Sequence, residues 1–198
     1  MPMLKNGRLN SFHCSNQVRS STSGFQTIPW ARSSGFKQSS VKPVLNLDAV
    51  QNHLSLLDRS SEQAGILDYC KENNIAFWAY MILEQGALTG KYDVDRPFPA
   101  GSARAQIYNA KLPELTELIN TLKEVGAAHD LTVAQTAMSW AVTKGALPIV
   151  GVTSAKHVDD AAKVSASQLT DEEMVRLEKV ADKAGVNTIG SWEPDMRE

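Results

Sequence analysis

Nine residues without a charge, Ile75 to Leu83, constrain this chain more than any other stretch. The run is too short to span a membrane and has the length of a strand buried on both faces. It leads into Gly86 and Gly90, where the backbone can turn or come close to a ligand. Parallel barrels build their sites at the C-terminal ends of strands, and a buried strand that delivers Tyr80 into a glycine-bearing loop fits that plan. A core strand followed by an ordinary surface loop has the same spacing.

The neighbouring segments supply the context. Val44 to Val50 alternates well enough for a strand. Ser60-Ser-Glu-Gln63 has the form of a capping box and predicts a helix that carries Ile66, Leu67 and Tyr69-Cys70 and closes near Asn73-Asn74. Strand, helix and strand with short joints make a parallel crossover unit. Residues 93–111, with Pro97, Pro99 and Gly101, read as a long loop of the kind that is usually functional or mobile. A helix follows over Leu112 to His129, with Leu115, Leu118, Ile119, Leu122 and Val125 on one stripe.

Thr132-Val-Ala-Gln135 opens a further capped helix, which buries Ala134, Ala137, Met138, Trp140 and Ala141 and stops at Gly145. Pro148 to Thr153 predicts another short buried strand, with a helix beginning beyond it. Thr170-Asp-Glu-Glu173 caps the last helix, which buries Met174, Leu177 and Val180 and ends at Gly185. This alternation predicts an α/β fold with parallel strands near 45–50, 75–82 and 148–151. Three strands make only part of an eight-stranded barrel, so the edges near 45–50 and 148–151 are expected to be unpaired and open to association.

Residues 1–42 differ in texture. They are rich in serine, contain six basic residues and no acid, and show no period of 2 or 3.6. They read as a disordered or non-homologous segment ahead of a folded unit at 43–198. The composition also meets that of an organellar transit peptide, although the compartment expected for the whole is the cytoplasm. From Asp48 onward 22 acids face 14 bases, a net charge of −8, which gives little attraction for nucleic acid. No apolar run is long enough for a membrane span. Cys14 and Cys70 have no metal or redox spacing, and His13 beside Cys14 has no partner cluster, so no metal site is expected.

The strongest physical inference lies at Val150-Gly-Val-Thr-Ser-Ala155. A strand ends, Gly151 admits close approach, Thr153 and Ser154 bring hydroxyls, and a helix N-terminus directs amides to one spot. That combination suits an anion, with Lys156 and His157 near enough to add charge. A plain strand-to-helix joint with Ser154 as N-cap would look alike.

Four segments then stand in order: Val50-Gln-Asn-His-Leu-Ser-Leu-Leu-Asp-Arg59, Ala79-Tyr-Met-Ile-Leu-Glu-Gln-Gly-Ala-Leu-Thr-Gly-Lys-Tyr92, Pro99-Ala-Gly-Ser-Ala-Arg104 and Leu147-Pro-Ile-Val-Gly-Val-Thr-Ser154. With Leu169-Thr-Asp-Glu-Glu173 behind them, they resemble the C-terminal half of an aldo/keto reductase over about Val44 to Gly185. The resemblance implies part of a (β/α)8 barrel that transfers hydride between NADP(H) and an aldehyde or ketone.

By the same resemblance Gln51 matches a glutamine that holds the nicotinamide carboxamide, and Tyr80 the aromatic that stacks on the ring. Met81, Ile82 and Leu83 fall in the family's Ser-Pro-Leu run around the pyrophosphate, with Met81 and Ile82 departing from it. Arg104 lies in a loop that folds over the cofactor. Gly151, Thr153 and Ser154 match the cradle of the adenosine phosphate. His157 stands where many members place an arginine for the 2′-phosphate, and Asp160 matches an acid at the adenine, while Ala161 replaces an Asn. NAD(H) is therefore an alternative cofactor. The family's catalytic Asp, Tyr, Lys and His lie on earlier strands, so no catalytic residue is assigned here and the chain alone is expected to be inactive. A non-catalytic reading also follows, in which the chain is a nucleotide-binding or interaction module that pairs with another half-barrel.

Overall fold

A computed structural model describes residues 17–19, 25–27, 47–186 and 188. The expectations for His13, Cys14 and most of 1–42 lie outside those residues. Within them a sheet has the order β2-β1-β3-β4-β5, formed by β1 (Gln17–Arg19), β2 (Phe25–Thr27), β3 (Ala49–His53), β4 (Ala76–Tyr80) and β5 (Leu147–Pro148). The last three are parallel, as the sequence predicts.

Strand β3 starts later than the Val44–Val50 alternation suggests. Its register is set by pairing from Ala49–Ala76 to His53–Tyr80, preceded by a bond from the Ala76 amide to the Asp48 carbonyl. The edge expected to be open is also occupied: β1 lies antiparallel beside β3 at Arg19–Ala49. Strand β4 is not buried on both faces. Phe77 and Ala79 are buried against the helices, while Ala76, Trp78 and Tyr80 are half-buried on the other face. The strand ends at Tyr80 because Met81 turns to φ +62°.

The helix expected after Ser60 is broken in two, α1 (Ser60–Gln63) and α2 (Ile66–Glu72), by Gly65 at φ +77°. Its capping box does not form. Asp58 Oδ1 accepts from the Ser60 amide at 2.9 Å instead, and no side chain caps α1. Asn74, at φ +53°, makes the left-handed turn into β4. The segment 93–111 is also not all loop. Ser102 Oγ accepts from the Ala105 amide at 3.1 Å and starts α3 (Ala103–Tyr108).

Three longer helices follow. In α4 (Leu112–Ala128) the predicted stripe is buried, apart from half-buried Ile119. Thr132 and Thr170 complete reciprocal boxes with Gln135 and Glu173 at the starts of α5 (Val133–Thr143) and α7 (Asp171–Ala184). Ala134 is half-buried rather than buried. The strand predicted at 148–153 is reduced to β5, and it is not buried: Leu147 is 55% and Ile149 43% exposed. Only β4 flanks it among the described residues, so half its surface stays open.

The Glu173 carboxylate also lies against His129 Nε2 at 2.8 and 2.9 Å, tying the end of α4 to the start of α7. Burial raises this carboxyl, but the Thr170 amide and the His129 ring more than offset that and hold it below its usual range. A depressed folded pKa stabilises the protein above the unfolded glutamate value of about 4.3, and this stability is lost as pH falls through the folded value. Urea midpoints measured between pH 7 and pH 3 should therefore drop on the acid side, and Glu173→Gln should flatten that limb. An unchanged acid limb in Glu173→Gln would sink the assignment.

Candidate functional site

The segments that close β3 and β4, and the loop after β5, lie at the carboxyl ends of the parallel strands. Gln51 and His53 in β3 share a face with Trp78 and Tyr80 in β4, opposite the helix-packed face of Val50, Phe77 and Ala79. This is the half-covered side of the sheet, corresponding to the inside of a barrel. Residue Gln51 is half-buried there, its side chain one pleat behind Tyr80.

The Tyr80 ring is backed by His53, with centroids 5.4 Å apart and planes at 29°. A half-buried ring fixed from behind is suited to a flat, electron-poor partner, and the Gln51 side chain lies on the same face. The residues present therefore fit the nicotinamide end of a dinucleotide. After Tyr80 the chain is tight: Met81, Glu84 and Gln85 all have positive φ, at 62°, 46° and 52°. Met81 and Leu83 are half-buried, and Ile82 turns into the core. The Arg104 guanidinium sits 5.5 Å over the Phe98 ring and donates to the Gln85 carbonyl at 3.4 Å, so α3 does lie against this turn.

The second end of the site starts after β5. The Ile149 amide donates to the Ala79 carbonyl at 2.8 Å, which brings 149–154 alongside Tyr80's strand. Gly151, Thr153, Ser154 and His157 are exposed at the N-terminus of α6 (Ala155–Val164). The amides there are not all available to an anion. His157 Nδ1 accepts from the Thr153 amide at 3.3 Å, and Ser154 Oγ from the His157 amide at 3.4 Å. Ser154 is thus the N-cap of α6. Lys156 Nζ lies 2.6 Å from Asp160 Oδ2, and Gln135 Nε2 donates to the Asp160 carbonyl at 3.2 Å. Asp160, assigned by resemblance to the adenine, is engaged by protein groups in this structure.

Sequence reasoning missed a buried cluster directly under this surface. Glu84 is 0% exposed. Its Oε1 accepts from His53 Nε2 at 2.9 Å, from Thr188 Oγ1 at 3.2 Å and from Ser55 Oγ; its Oε2 accepts from the Tyr108 hydroxyl at 2.9 Å. His53 Nδ1 is also 3.6 Å from Asp58 Oδ2. A hint was present: a single acid among the apolar residues before Gly86, and His53 and Ser55 flanking Leu54. Among the described residues no group of three or more His, Cys, Asp or Glu could hold a metal ion, and no helix is long and apolar enough to cross a membrane.

A three-stranded parallel sheet with crossover helices, its conspicuous side chains at the strands' carboxyl ends, is a portion of a (β/α)8 barrel. The aldo/keto reductase family profile matches residues 23–182, and the chain belongs to that family. The chloroplastic pyridoxal reductase of Arabidopsis thaliana is 34% identical over 143 residues, covering 72% of this chain and 39% of that protein. The NADH-specific methylglyoxal reductase of Escherichia coli is 27% identical over 141 residues, covering 69% and 42%. The aldo-keto reductase yakc [NADP(+)] of Schizosaccharomyces pombe is also 27% identical, covering 70% and 42%. The solved glycerol dehydrogenase of Gluconobacter oxydans superposes with a TM-score of 0.62 at 24% identity, over 73% of this chain and 45% of that one. The chain thus spans about two fifths of the length of the curated relatives it matches.

Proposed function

We propose that this chain carries the nicotinamide-nucleotide half of an aldo/keto reductase site, and that the nucleotide is NADP(H), used to reduce an aldehyde or ketone. The observation that carries the reading is the placement of Gln51 and Tyr80 on one open face, with the loop 149–154 at the same end of the sheet. When bound, the nucleotide supplies the hydride. The chain's own residues bind and orient it: Tyr80 offers a ring face, Gln51 an amide, and Gly151, Thr153, Ser154 and His157 border the phosphate region, with Met81, Leu83 and Arg104 around the turn between. Relatives named for NADP(+) and for NADH both occur. Lys156 and His157 favour the phosphorylated form, because a cationic or ring N–H donor beside a 2′-phosphate gains what NAD(H) cannot offer.

Titration of the purified chain with NADPH, followed by tryptophan fluorescence, tests this, since Trp78 is on the same face as Tyr80. Saturable quenching is expected, weaker with NADH. Tyr80→Ala is expected to weaken NADPH by roughly tenfold, the loss of one aromatic stack of about 0.5–1.5 kcal/mol together with its buried area. Absence of saturation in the unsubstituted chain overturns the proposal. Because the resemblance assigns none of these residues a proton-donating role, the same preparation is expected to leave NADPH absorbance unchanged when an aldehyde is added.

A further inference from the structure

The buried Glu84 serves no binding role in the reading above, yet its carboxylate accepts from four side chains. Removing a carboxylate from water is costly unless donors replace the water. Here His53, Ser55, Thr188 and Tyr108 do so. These donors come from the end of β3 and the residue next but one after it, the end of α3, and the chain beyond α7. The acid thereby fastens three separate regions to the turn that follows Tyr80. That turn holds three non-glycine residues at positive φ, Met81, Glu84 and Gln85, a conformation that persists only where the surroundings impose it. The first of those donors, His53, carries the Tyr80 ring on its own face.

We propose that Glu84 is a positioning residue for the nicotinamide. It holds the His53 ring by Nε2, His53 in turn sets the plane of Tyr80, and the same carboxylate pins the turn at Met81–Gln85. This rests on the reading that Tyr80 faces the nicotinamide. The prediction is selective: loosening Glu84 should weaken ligands that have a nicotinamide ring and spare the same nucleotide without one.

The experiment compares NADPH with 2′-phospho-ADP-ribose, which lacks the nicotinamide, on the whole chain and on Glu84→Gln, His53→Phe and the double variant. Competition against a fluorescent nucleotide reports both affinities. Glu84→Gln keeps the size and one acceptor oxygen but cannot accept on both sides. It is expected to lose about fivefold to tenfold in NADPH affinity and to leave 2′-phospho-ADP-ribose unchanged. In the His53→Phe background the substitution at Glu84 should add nothing to that difference, because the link is already cut. Equal losses for both ligands would reduce Glu84 to a structural role and overturn the proposal alone. Additive losses in the double variant would overturn the route through His53. Failure of the unsubstituted chain to bind NADPH, with 2′-phospho-ADP-ribose still bound, would overturn both this proposal and the assignment of Tyr80. Should Glu84→Gln fail to fold, Tyr108→Phe removes one donor from the carboxylate and carries the same comparison.

Discussion

Trp140→Ala is expected to lower the unfolding free energy by about 3–5 kcal/mol, the usual range for truncating a buried aromatic. Trp140 is fully buried in α5, and its indole N–H donates to Glu178 Oε1 at 3.0 Å. The same carboxylate lies 2.6 Å from Lys144 Nζ and 3.0 Å from Arg59 Nη1, and Lys144 also reaches Glu62 at 2.5 Å. The substitution therefore opens a cavity and removes one donor from the charge cluster joining α1, α5 and α7. Domains are commonly stable by only about 5–15 kcal/mol, so a large share of the total is at stake. Urea denaturation of both proteins measures it. Trp140→Phe retains most of the ring volume and should fall between them; a loss below about 1 kcal/mol in Trp140→Ala would show that the cavity collapses freely.

Gly126→Ala is the second large effect, and its sign is contrary to local propensity. Alanine is intrinsically better in a helix by roughly 1 kcal/mol. At this position, however, a Cβ would lie 2.4 Å from Thr136 Oγ1 and 2.6 Å from the Leu131 carbonyl oxygen. Side-chain rotation can relieve the first contact, but the second is with the backbone of Leu131, whose amide donates to the Gly126 carbonyl at 2.8 Å in the turn between α4 and α5. Overpacking of this kind typically costs about 1–3 kcal/mol, occasionally more, so the clash wins. Adding Thr136→Ala should recover only part of the loss. Full recovery would mean that the Leu131 contact moves aside without strain.

What could be read from the sequence was what adjacent residues decide. The boxes at Thr132–Gln135 and Thr170–Glu173 form because each needs only four consecutive residues. The Ser60–Gln63 box has the same letters and fails, because Asp58 takes the Ser60 amide and Gly65 leaves the helical region. Tyr80 and Gln51 could be placed because family motifs mark them, and the sheet does bring their faces together. Burial of β4 was read too generously: a run of uncharged residues cannot say that Trp78 faces a half-open side. The helix at Ala103–Tyr108 was concealed by Pro97, Pro99 and Gly101, although Ser102 two positions before Arg104 was a usable cap signal. The Glu84 cluster was least legible, since its partners His53, Tyr108 and Thr188 meet only through the tertiary fold.

The parallel pairing of β4 with β5 bears on the order in which the chain assembles. Gln51 and Trp78 pair across one short crossover, whereas Trp78 and Leu147 close a much longer loop that contains all of α3, α4 and α5. Long closures carry the larger entropy cost and are made late unless the intervening chain is already compact. Packing of α4 against α5 supplies that compaction and delivers Leu147 to Trp78. On this account Tyr80 and the loop after β5 remain apart for most of folding and come together only in its closing step.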